Sequence, residues 1–73
     1  MKEIILTKNA KIRAVQRGTT EAKISWALKN ADYTKLTITD VNIAVKALRD
    51  SVLRIFFKEF PEKLVVLSVC MPR

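Results

Sequence analysis

Six cations, Lys8, Lys11, Arg13, Arg17, Lys23 and Lys29, surround the only glycine of the chain, Gly18, with Thr20, Glu21, Ser25 and Trp26 set among them. Lysine and arginine at such intervals suit phosphate oxygens, while serine, threonine and glutamate suit the hydrogen-bonding edges of bases. Other chemistries are hard to assemble. There is no histidine and one cysteine, Cys70, so neither a Cys/His zinc site nor a Cys–His or Ser–His–Asp nucleophile can be built. Lone carboxylates such as Glu21 and Asp40 have no paired acid, and the sequence predicts neither an enzyme nor a cofactor or metal. Cys70 reads as a small buried hydrophobe in a reducing compartment.

Fourteen basic side chains against seven acidic ones give a net charge of +7, which favours a polyanionic partner. The excess is uneven. Residues 1–30 carry seven basic groups against Glu3 and Glu21, whereas residues 31–73 carry seven against five. A chain of 73 residues is expected to form one domain, 1–73, too small for a substrate cavity, so no small-molecule substrate is predicted. The apolar run Ile4-Ile5-Leu6 is too short for a signal peptide or a membrane span, which predicts a cytoplasmic protein with no membrane partner.

The elements that must position these groups follow from apolar spacing. Lys2–Thr7 suits a short strand. Asn9 offers a cap for a helix over Ala10–Arg17 that Gly18 ends, and Thr19 or Thr20 caps a second over Ala22–Asn30. In that second helix Ile24, Ala27 and Leu28 share one face. After a polar loop, the stripe Val41, Ala44, Val45, Leu48 and Val52 predicts a third helix from Thr37 or Thr39. Residues 52–58 fit either a strand or two further helical turns, and Pro61-Glu62 turns the chain into a strand over Leu64–Val69. That last strand would lie beside Ile4-Ile5-Leu6 or a partner chain. The expected class is α+β, mainly α: a three-helix core with a short N-terminal strand and a C-terminal strand or hairpin, with 52–73 as a wing or dimerisation segment.

Ala14, Gly18, Thr20, Ile24, Ser25 and Leu28 resemble the helix-turn-helix pattern of Cro, phage repressors and lac-repressor-type headpieces, and the resemblance covers roughly residues 8–50. It implies a winged-helix or Cro-like protein that binds double-stranded DNA as a homodimer. Arg13 and Arg17 stand where that pattern places apolar residues, so two registers compete. In the first, Ala22–Asn30 is the recognition helix. Arg13, Arg17, Thr20, Lys23 and Lys29 then hold phosphates, Glu21 and Ser25 face bases, and Trp26 touches a thymine methyl or packs in the core. In the second, the recognition helix spans Thr39–Asp50 and presents Thr39, Asn42, Lys46 and Arg49. Turn length and the charge map favour the first.

The function so implied is a small sequence-specific transcriptional regulator of phage or mobile-element type. The alternative is an antirepressor or inhibitor that binds a partner regulatory protein through Phe56, Phe57, Phe60 and Val66. A DNA-bending factor of excisionase type shares the same basic surface.

Overall fold

The structure, a computed structural model, describes residues 2–71; Met1 and the last two residues of the 52–73 segment lie outside the described residues. Strand β1 (Glu3–Leu6) leads into helices α1 (Lys8–Gln16) and α2 (Glu21–Lys29). Four strands follow: β2 (Tyr33–Leu36), β3 (Asn42–Ala47), β4 (Val52–Glu59) and β5 (Lys63–Cys70). They form one sheet in the order β1-β5-β4-β3-β2, with β1 parallel to β5 and every other pair antiparallel. Ile4-Ile5-Leu6 does pair with Leu64-Val65-Val66.

Both helices lie on one face of the sheet. Ala10 and Ala14 of α1, with Ile24 and Ala27 of α2, pack on Leu6, Ala44, Leu53, Ile55, Phe57, Val66 and Val69. Two alanines let α1 sit close to β5, so little of its side-chain surface is used up in the core. Among the described residues, the opposite face of the sheet carries no helix.

This arrangement corrects the expected three-helix core. Residues 37–51 form a loop, β3 and a turn in place of a third helix, and the winged or Cro-like layout falls with it. The helical stripe read from Val41, Ala44, Val45, Leu48 and Val52 competes with the alternation Val41, Ile43, Val45, Ala47, whose β-branched members favour a pleated surface. The β2–β3 connection supplies the local signal: the Thr37 hydroxyl donates to Val41 O at 2.7 Å while Thr37 N–H bonds the same carbonyl at 3.2 Å. Turns at 48–51 and 60–63 close the remaining hairpins, the second with Pro61 at its i+1 position. Residues 52–71 are not a wing: β4 is the central strand and β5 lies between it and β1.

β5 carries one irregularity. Phe56 pairs with Ser68 and Phe57 with Val66, so Leu67 bulges out of the ladder. Its carbonyl accepts from the Thr7 hydroxyl at 3.3 Å and the Asn9 amide at 3.1 Å, which ties the start of α1 to the sheet. Among the described residues, no helix is long and apolar enough to cross a membrane.

Candidate nucleic-acid interface

The helix layer forms much as its residues demand. Thr7, in place of the expected Asn9, caps α1 by accepting from Ala10 N–H at 3.2 Å. The helix ends in a Schellman motif, with Gly18 N–H on Val15 O at 3.1 Å and Thr19 N–H on Ala14 O at 2.9 Å. Gly18 sits at φ +70°, the left-handed conformation that only glycine adopts freely. Thr20 then caps α2, accepting from Lys23 N–H at 3.2 Å, with Glu21 in the first turn where the helix dipole favours an anion.

Arg13 and Arg17 point into solvent, which removes the conflict of a buried arginine. Lys8, Lys11, Lys23 and Lys29 are exposed with them, as are Thr20 and Glu21, while Ser25 is half-buried. Among the described residues the ion pairs are Lys2 with Glu59 and Lys46 with Asp32, so these six cations face solvent without a carboxylate partner. Trp26 is 46% exposed. The Lys46 ammonium lies 5.3 Å from its ring centroid and 3.2 Å from Asp32 Oδ1. Asp32 also accepts from Ala47 N–H at 2.7 Å. That backbone bond, and then Lys46, hold its carboxyl below the ordinary value.

The second register does not survive. Thr39 is in the β2–β3 loop, Asn42 and Lys46 are on β3, and Arg49 is in the following turn, so no helix gathers them. Lys46 is already engaged by Trp26 and Asp32. The proposed protein-contact set also separates. Phe57 is 7% exposed and Val66 fully buried beneath the helices, Phe56 is half-buried on the opposite face, and Phe60 is exposed in the last turn.

The open face holds a group of residues that sequence reasoning missed apart from Phe56, which it placed in the protein-contact set. Register places Tyr33 beside Val45 and Arg54 in one row, and Lys35 beside Ile43 and Phe56 in the next. These six line a shallow concavity of about 220 Å³, room for one planar group where a whole small-molecule ligand takes roughly 300–1,000 Å³. Val45 and Ile43 form the floor, and the corners alternate aromatic and cation: Tyr33, Lys35, Phe56, Arg54. Tyr33 is 51% exposed, and Lys35 Nζ lies 5.9 Å from its ring centroid. Strand spacing puts Tyr33 and Phe56 roughly 12 Å apart. The same face continues through Lys58 and Val65 to Ile5. Among the described residues its one carboxylate, Glu3, lies opposite Lys63 at the far edge, away from Lys35, Arg54 and Lys58. The signal was present as period-two triplets, Tyr33-x-Lys35, Ile43-x-Val45 and Arg54-x-Phe56-x-Lys58, which show their common face once the register is known.

Comparison with protein families, with characterised proteins and with solved structures returned no match.

Proposed function

We propose that the chain is a nucleic-acid-binding protein whose open sheet face takes single-stranded nucleic acid. The observation that carries this reading is the alternation of Tyr33 and Phe56 with Lys35 and Arg54 over an apolar floor. Single strands are bound by rings on which unpaired bases stack and by cations that track the phosphates between them. Each component alone is common on surfaces. A pleated lattice that repeats both within two rows supports a ligand that is itself an alternation of flat bases and charged phosphates. Lys58 extends the cationic track toward β5.

The test is fluorescence anisotropy with a labelled single-stranded oligonucleotide at low salt. Tyr33→Leu and Phe56→Leu keep apolar bulk and remove the ring, and each is expected to weaken binding about 5- to 100-fold. An oligonucleotide with abasic sites should lose affinity in the same range. Equal binding of abasic and normal strands, or unchanged affinity in both variants, refutes the stacking site.

A second reading, duplex DNA on the helix layer, is favoured by one observation: its six exposed cations are opposed only by Glu21. The placement of α2 limits what this layer can read. A recognition helix must protrude into a groove about 12 Å wide, whereas α2 lies against β3 and β4 with Ser25 half-buried. The layer therefore suits contact with the phosphate backbone more than sequence readout. Lys23→Glu with Lys29→Glu should abolish duplex binding on this reading and leave the single-strand site intact. Duplex affinity equal to wild type in that double variant removes the reading.

A further inference from the structure

We infer that the free edge of β2 is an interface for a second copy of this chain, paired antiparallel about a two-fold axis at Thr34. Four observations meet at this edge. First, β2 ends the sheet, and all four of its residues are exposed. Second, Thr37 N–H bonds Val41 O, and the alternation of antiparallel pairs then turns the backbone of Tyr33 and Lys35 toward β3. Thr34 and Leu36 are left with N–H and C=O groups directed outward, a template that another strand completes. Third, Leu36 is 77% exposed and Ile38 fully exposed, with Tyr33 half-exposed, which leaves uncovered apolar surface along this edge and its hairpin. The loop that carries Ile38 is held by the Thr37 hydroxyl, which bonds Val41 O and the Thr39 hydroxyl, so the side chain is presented on a fixed turn.

The fourth observation selects the occupant and the register. Residues opposite one another across a sheet must share a face, which bars an axis between residues, and keeping three of the four β2 residues paired then places it at Thr34 or at Lys35. An axis at Lys35 sets two like charges against each other. An axis at Thr34 makes Thr34 its own hydrogen-bonded partner and sets Lys35 of each copy beside Tyr33 of the other, a cation against a ring. The edge is thus complementary to itself in one register. Pairing joins two five-stranded sheets, and both open faces then point the same way with Tyr33 and Lys35 of each at the seam. The pairing does not rest on the nucleic-acid reading, although it shares Tyr33 and Lys35 with that site.

Sedimentation velocity of the full chain over a hundredfold range of concentration tests this. Wild type should move reversibly from one to two copies. Thr34→Pro removes an outward donor without touching the β2–β3 ladder, and Ile38→Asp alters a side chain that is fully exposed; both should remain single copies with unchanged circular dichroism. Amide hydrogen exchange gives an independent reading, with Thr34 and Leu36 becoming more protected as concentration rises. Wild type that stays a single copy throughout, or pairing that persists in both variants, overturns the assignment. Single-strand binding by Thr34→Pro at low concentration should match wild type, so loss of pairing and failure of the sheet-face site are told apart.

Discussion

The two sides of the sheet are both basic, but their cations are supported in different ways. On the helix side, Lys8, Lys11, Arg13, Arg17, Lys23 and Lys29 ride on two helices anchored by Ala10, Ala14, Ile24 and Ala27, with polar and apolar residues scattered among them. On the open side, Lys35, Arg54 and Lys58 stand at intervals fixed by the backbone ladder, each next to an apolar or aromatic neighbour. Charge alone would suit a polyanion on either side. Only the second arrangement adds the stacking surfaces by which one kind of polyanion differs from another.

Salt should separate the faces most strongly. Six phosphate contacts on duplex DNA give a log–log slope of about −5, and three on a single strand about −2, so a fourfold rise in salt should cost about 1000-fold and about 20-fold in affinity. Anisotropy titrations with both probes measure the two slopes, and equal slopes would erase the distinction. Ile55→Ala should break both faces together. Ile55 of β4 is fully buried beneath the helices, and its truncation should cost about 2–5 kcal/mol, much of the stability of so small a domain. Denaturant unfolding followed by circular dichroism measures it.

Gly18→Ala should weaken only the helix side. A Cβ there meets nothing within 4 Å, so the cost is conformational, about 1–2 kcal/mol for a side chain held at positive φ. Duplex affinity should fall while single-strand affinity holds, in the same anisotropy assay. The smallest effect belongs to Asp32→Asn. Because Ala47 N–H and then Lys46 lower the folded-state value of Asp32 below 3.8, its contribution is present above the ordinary carboxylate range. It is lost as pH falls through the lowered value. The Asn variant should therefore show a flatter acid limb of stability in pH-dependent melting, with neither face's binding changed at neutral pH.

The helix pair was legible because its signals are local. Gly18 has one conformation to supply and Thr20 one cap, and the exposure of Arg13 and Arg17 follows from the narrow alanine contact of α1. Residues 37–52 were misread because short apolar runs carry helical and alternating periods at once, and the choice between them is made by strands distant in sequence. The same dependence hid the open face. Tyr33 and Phe56 are distant in the chain and become neighbours only through β3, which the helical reading had removed. Residues 52–58, open to two readings, are a strand because both β3 and β5 need it.

The bulge at Leu67 acts on β5 as a frameshift acts on a reading frame. Before it, even-numbered residues such as Leu64 and Val66 point to the helices; after it, the odd-numbered Val69 does. The far end of the strand is therefore read in the opposite phase, which leaves Ser68 and Cys70 on the open side, beside Phe56 and Arg54. Removal of this single residue would restore an uninterrupted ladder with every partner kept, whereas pairing Leu67 itself with Phe56 would exchange inside for outside beyond it, sending Val69 to water and the thiol of Cys70 into the core.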